Sequence, residues 1–181
     1  MGKRAMVLGM AVALAFGAAA CGDDDGDEGA ASATTASPAA GGAGGDCPQV
    51  QGGTAAEPGT VGAVAYELDE FEFAGPASVP AGAVTFELTN VGQANHEMVV
   101  IKAETFDELP TNEHGTVVVD ELPDGAFIGE IGRFPGEGTT CAGQFDLEPG
   151  RYVLVCNIEF QNGPQVVSHA GRGMHLDIDV A

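Results

Sequence analysis

The stretch Cys156-Asn157-Ile158-Glu159-Phe160-Gln161-Asn162-Gly163-Pro164-Gln165-Val166-Val167-Ser168-His169-Ala170-Gly171-Arg172-Gly173-Met174 decides how the whole chain reads. A thiol, an imidazole and a thioether follow one another between two apolar segments. Before it, Arg151 to Cys156 is the most apolar run of the C-terminal half, as a strand buried on both faces would be. After it, Met174, Leu176, Ile178 and Val180 alternate with His175, Asp177 and Asp179, which places Met174 with the core set and His175 with the solvent-facing acids. With one more imidazole, these side chains form the donor set of a blue-copper site: two His and one Cys in a plane, Met as a weak axial ligand. His96 is the obvious source. It opens the run His96-Glu97-Met98-Val99-Val100-Ile101-Lys102 and shares parity with Met98 and Val100.

The same period of two recurs upstream. Val64, Tyr66 and Leu68 alternate with Ala65 and Glu67, and Phe71 and Phe73 flank Glu72. Val84, Phe86 and Leu88 alternate with Thr85, Glu87 and Thr89 after the turn Val79-Pro80-Ala81-Gly82. Phe145 and Leu147 lie opposite Gln144 and Asp146, ahead of the turn Glu148-Pro149-Gly150. Thr105 to Leu109 reads as one helical turn and Thr116 to Val119 as a short strand. His114 falls in a polar loop. Seven to eight short strands, Gly- and Pro-rich turns and no helix longer than a turn predict an all-β, antiparallel β-sandwich over residues 60–181. A sandwich gathers strand ends at its poles. His96 opens one strand, Cys156 closes a second and Met174 opens a third.

The N-terminal part reads differently. Lys3 and Arg4, the apolar run Ala5 to Phe16 and the small residues up to Ala20 have the form of a secretory signal over residues 1–20. Ala18-Ala19-Ala20-Cys21 is similar to the lipobox of bacterial lipoproteins, although the third position before the cysteine is usually Leu. It predicts lipidation at Cys21 and a protein lipid-anchored to the outer face of the cell membrane; ordinary secretory cleavage is the alternative. Residues 21–59 are Gly, Ala, Ser, Thr and Asp with few large apolar side chains, the composition of a disordered tether.

Two of the six basic residues leave with the signal. Lys102, Arg133, Arg151 and Arg172 then stand against all 27 acids, a net charge near −23. Such a surface excludes nucleic acid as a partner and steers towards proteins with a basic docking face. No Ser/His/Asp or Cys/His arrangement indicates an enzyme, and Asp69-Glu70 and Asp120-Glu121 read as solvated surface. In an exported chain the four cysteines invite pairing. If Cys21 carries lipid and Cys156 a metal, Cys47 and Cys141 remain to form a disulfide. The rival is Cys141 with Cys156, which would face each other across a hairpin centred on Glu148-Pro149 and would remove the thiolate.

Several of these motifs together resemble a known family. His169-x4-Met174 with Gly173 before the Met, the run Glu148-Pro149-Gly150-Arg151-Tyr152 leading to Cys156, Val79-Pro80-Ala81-Gly82, and Asn90-Val91-Gly92 ahead of Asn95-His96-Glu97 are similar to the cupredoxins of the plastocyanin/azurin group. The resemblance covers about Val61 to Ala181. It implies a Greek-key sandwich and one type 1 copper held by His96, Cys156, His169 and Met174. It also implies electron transfer with a redox protein such as a cytochrome or an oxidase. Copper delivery without redox turnover, and a metal-free binding module, are the other functions such a fold serves. The chain departs from the family in the twelve residues between Cys156 and His169 and in Glu97, where Asn is frequent. The long loop resembles that of a subset of bacterial cupredoxin-like lipoproteins.

Overall fold

The computed structural model describes residues 47–181. The signal sequence, Cys21 and most of the tether lie outside them. Thirteen strands form two sheets and a small hairpin. They are β1 (Val50–Gln51), β2 (Thr54–Ala56), β3 (Val64–Asp69), β4 (Glu72–Ala74), β5 (Ser78–Val79), β6 (Gly82–Asn90), β7 (His96–Lys102), β8 (Phe127–Phe134), β9 (Thr139–Leu147), β10 (Gly150–Val155), β11 (Glu159–Asn162), β12 (Gln165–Ser168) and β13 (His175–Val180). One sheet runs β1-β8-β7-β10-β13-β5, the other β2-β9-β6-β3-β4. The only helical pieces among the described residues are single 3-10 turns. None is long and apolar enough to cross a membrane.

The protein is the all-β sandwich that the alternating segments predict, with two differences. The strands outnumber the expected seven to eight, because β1, β2, β4 and β5 are ladders of two or three residues too short to show a period. Two pairings are parallel, β3 with β6 and β5 with β13. The chain leaves β3, crosses to the other sheet at β5, and returns as β6 on β3's own side. This crossing closes the sandwich.

The core lies between the sheets. Tyr66, Leu68, Phe86 and Leu88 meet Met98, Val100, Tyr152, Leu154 and Ile178, all buried. The alternate residues of β7 and β10, Val99, Ile101, Val153 and Val155, face outward and are buried as well, against Leu109, Val117 and Phe106 of the segment between β7 and β8. That segment is a third layer, which is why both strands read as continuous apolar runs. The helical turn falls at Phe106–Glu108. The expected strand at 116–119 reduces to a single bridge, Thr111 to Val117, before a second turn at Val119–Glu121.

Residues ahead of 60 also contribute to the sheets, since β1 pairs with β8 and β2 with β9. Gly52 and Gly53, between these two strands, pass so close to the backbone of β8 and β9 that a Cβ would collide at either position. A Gly-rich composition therefore serves close approach here. Cys47 and Cys141 form a disulfide, and Cys156 is a free, buried thiol. The rival pairing fails because Glu148-Pro149 is not a hairpin turn. It carries the chain from β9 in one sheet to β10 in the other.

Candidate metal centre

Three neighbouring strands of one sheet bring their ends to the same pole. Val155 at the end of β10 pairs with Val99 of β7 on one side and with His175 of β13 on the other. His96, Cys156 and Met174 therefore meet at that pole, all fully buried. His169 reaches it from the loop, immediately after β12 and at the start of the 3-10 turn Ala170–Arg172. Gly173 closes that turn at a φ of 103°, a left-handed conformation that glycine adopts without strain. The turn delivers Met174, whose N–H donates to the His169 carbonyl at 3.0 Å and whose carbonyl accepts from the Cys156 N–H at 3.0 Å. The Met174 backbone thus couples the two loop donors to each other.

Three donor atoms converge. His96 Nδ1 and His169 Nδ1 are 3.1 Å apart, and Cys156 Sγ lies 3.3 Å from His169 Nδ1 and 3.8 Å from His96 Nδ1. The circle through the three has a radius of about 2.0 Å, the length of a bond from an imidazole nitrogen to a first-row metal ion and slightly under a metal–thiolate length. Two facing imidazole nitrogens can share only one proton, so a cation at the centre satisfies all three atoms better than hydrogen bonding does. His96 Nε2 is buried with no partner among the described residues.

Burial prepares the group electrostatically. It pushes the Cys156 thiol up to about 12, with the backbone amides of Glu97 and Ile158 pulling the other way. It lowers His169 to about 4, helped by His96 and Arg133, and lowers His96 as well. Both imidazoles are therefore neutral at physiological pH, the form that binds metal. The thiol releases its proton when a cation arrives.

The twelve residues between Cys156 and His169 neither block the pole nor pull His169 away. They form the β11–β12 hairpin, with Asn162 opposite Gln165 across Gly163-Pro164. The hairpin is held at its base. Asn157 exchanges two hydrogen bonds with the Val117 backbone, and its own N–H donates to Glu97 at 3.2 Å. Glu159 accepts from Asn112 and Thr116. Glu97 thus ties the strand carrying His96 to the residue after Cys156.

Phe71 and Phe160 were not singled out by the sequence reading, since neither sits in a motif. Phe160, on β11, stacks on Phe71 at 6.1 Å, and each presents an edge-on contact to His169, at 5.3 and 5.2 Å. Phe71 has a φ of 66°, unusual for an aromatic residue. Its turn is fixed by Glu70, which accepts the N–H groups of Gln93 and Ala94 just before His96. His114 is half-buried beside Glu113 and takes no part in the cluster. His175 is half-buried and stacked on Phe106 at 3.8 Å, which removes it from the solvent-facing set of β13.

No family model matches the chain, and no curated protein does. Among solved structures it is similar to auracyanin B, at 17% identity over 74% of this chain and 99% of that one, with a TM-score of 0.47. It is also similar to auracyanin A, a "blue" copper protein from the green thermophilic photosynthetic bacterium Chloroflexus aurantiacus, at 18% identity over 66% and 100%, TM-score 0.41. A third is reduced rusticyanin, at 16% identity over 67% and 81%, TM-score 0.40. The class rests on the chain's own geometry: a two-sheet β-sandwich with a buried His–Cys–His cluster at one pole, cupredoxin-like in fold. The donor set and its spacing fit one type 1 copper.

Proposed function

We propose that the protein is a single-copper electron carrier, tethered through Cys21 to the outer face of the cell membrane. The convergence of Cys156 Sγ with the Nδ1 atoms of His96 and His169 carries this reading. A bound copper ion supplies one-electron chemistry by cycling between Cu(II) and Cu(I). The chain's residues do the rest. Cys156 would give up its proton and hold the ion as a thiolate. His96 and His169 donate as neutral imidazoles. Met174, buried and bonded through its backbone to Cys156, would offer a weak thioether donor. Strands packed on both faces hold the donors in place, so that little rearrangement accompanies a change of charge. Phe71 and Phe160 keep water from His169. The redox partner is a protein such as a cytochrome or an oxidase.

The test is the purified domain loaded with Cu(II), wild type beside Cys156→Ser. A thiolate-to-copper absorption near ~600 nm that vanishes in the variant is expected of a Cys-ligated site. Its absence from the wild type ends the proposal. Copper delivery is the second reading. It would show as tight Cu(I) retention with no electron exchange with a cytochrome. A metal-free module loses its best support here, since Cys156 is a free thiol.

A further inference from the structure

Cys156 and Met174 adjoin strands of a main sheet, but His169 does not. It follows β12, and the β11–β12 hairpin joins neither main sheet. Its turn is seated instead on the third layer. Gly171, in the turn, meets Gly115, in the loop 112–116, backbone against backbone. A Cβ on Gly115 would lie 2.6 Å from the Gly171 Cα, and a Cβ on Gly171 would strike the His114 carbonyl. Gly115 has a φ of 80°, but Gly171 has no positive φ, so at 171 the close approach alone requires glycine.

The loop is a firm surface. Asn112 Oδ1 accepts the N–H groups of His114 at 2.9 Å and Thr116 at 3.1 Å. The Asn112 N–H donates to the Thr116 carbonyl at 2.9 Å, and the Gly115 N–H to the Asn112 carbonyl at 3.0 Å. Val117, directly after the loop, is buried in the same apolar cluster as Ala170 of the turn. The turn is firm as well. The Gly171 N–H donates to Ser168 Oγ at 3.1 Å, and the His169 carbonyl accepts from the N–H groups of Arg172 and Met174, each at 3.0 Å. A displacement at Gly171 is therefore not absorbed within the turn and passes to His169 and Met174. The loop also holds the other arm of the hairpin, where Asn112 and Thr116 donate to Glu159.

We propose that the loop 112–116 is the stop that seats the His169 turn, and that Asn112, Gly115 and Gly171 are positioning residues for the metal site. The inference rests on the copper-carrier reading and adds what sets the place of the one donor carried by a separate hairpin. None of the three belongs to the donor cluster; they act through the turn. Two backbones in close contact have no soft side chain between them to yield, so a methyl group added there must move one of them. The loop is bonded across itself and tied to Glu159, so the turn is what moves. Residues that orient metal ligands from outside are worth about 10- to 100-fold in metal affinity.

Variants of the protein separate crowding from backbone strain. Gly171→Ala adds a methyl group at the contact without a positive φ, and Gly115→Ala should act in the same direction. Gly125→Ala strains a φ of 77° in the same layer, where a Cβ would meet nothing. In the metal-free protein, the NMR signals of the Met174 ε-methyl group and the His169 ring should shift in Gly171→Ala and stay in place in Gly125→Ala. In the copper-loaded protein, Gly171→Ala should lower copper affinity about tenfold or more and alter the ratio of the thiolate-to-copper absorption bands. Gly125→Ala should bind copper as the wild type does. Asn112→Ala slackens the stop, so adding it to Gly171→Ala should return part of the lost affinity. Where Gly171→Ala does not fold, Asn112→Ala by itself decides: it should move the Met174 and His169 signals, and unchanged signals overturn the proposal. So do unchanged signals in a folded Gly171→Ala, or equal shifts in Gly125→Ala. A wild type that develops no copper absorption sinks the carrier reading instead, and the metal-free signals then judge the positioning assignment by themselves.

Discussion

Asn157 and Val117 grip each other through both ends of one amide: the Val117 N–H donates to Asn157 Oδ1 at 2.7 Å, and Asn157 Nδ2 donates to the Val117 carbonyl at 2.9 Å. One residue directly follows Cys156. The other belongs to the layer that covers the outer face of β7 and β10. The pair fastens the metal loop to the scaffold at a point where no regular ladder reaches. Asn157→Ala leaves a backbone donor and acceptor of Val117 without partners. It should destabilise the domain by about 1–3 kcal/mol, read as a drop in thermal midpoint of several degrees in the metal-free protein. Asn157→Asp, which keeps the acceptor half, should lose less.

Met174 is tested by its influence on potential. A thioether is a weak donor, and replacing it alters the balance between the two copper states without touching the plane of strong ligands. Met174→Leu removes a donor that favours Cu(II), so the reduction potential should rise. Met174→Gln introduces a harder oxygen donor and should lower it. Voltammetry on the two variants gives opposite signs if residue 174 is axial, and no ordered change if it only packs the core.

The metal-free protein should have a stability optimum between the two titrations of its cluster. His96 and His169 have lowered pKa values in the fold, His169 near 4 against an ordinary 6.5, so below about pH 6.5 the unfolded chain takes up protons that the folded one does not. Stability falls as pH drops through that window. Cys156 is raised from 9.0 to about 12, so the folded state keeps a proton that the unfolded chain releases, and stability falls as pH rises above about 9. Denaturation midpoints measured across this range should form a dome. Cys156→Ser should remove the fall that starts near pH 9 and leave the one that starts near pH 10, where burial raises Tyr66 from 10.0 to about 12.

Phe160→Ala opens the cover of His169. Solvent then reaches the imidazole, whose pKa should move back up towards the ordinary value in an NMR titration of the metal-free domain. Copper should pass to an external chelator faster than from wild type. Phe71→Gly separates two effects of one side chain. It relieves a left-handed backbone that costs an L-residue roughly 1–2 kcal/mol, yet it removes the stacking partner of Phe160. Little net change in stability with a clear change in chelator access is the expected result.

The parity of the strands made much of this legible in the sequence. His96, Cys156 and Met174 fall at strand ends in alternating segments, and a sandwich has few ways to arrange such ends. What escaped depends on contacts between distant residues. Phe71 and Phe160 lie 89 positions apart by number and look like ordinary apolar residues until the hairpin folds over. The hairpin did leave a trace: Gly163-Pro164 between Glu159–Asn162 and Gln165–Ser168 is a two-residue turn with glycine at the position that needs a positive φ. The disulfide rival failed because a Pro-Gly turn reads alike whether the chain stays in one sheet or changes to the other. β1 and β2 were hidden in a Gly-rich stretch whose small residues are required by crowding.

The bond between Cys47 and Cys141 has a mechanical consequence. A pull on the chain's N-terminal end stops at Cys47 and passes through sulfur into the third residue of β9, within the nine-residue ladder with β6. The load then meets the nine-residue ladder of β6 and β9 and bypasses the two- and three-residue ladders of β1 and β2. Reduction of that single link would turn a firm mooring into a zip.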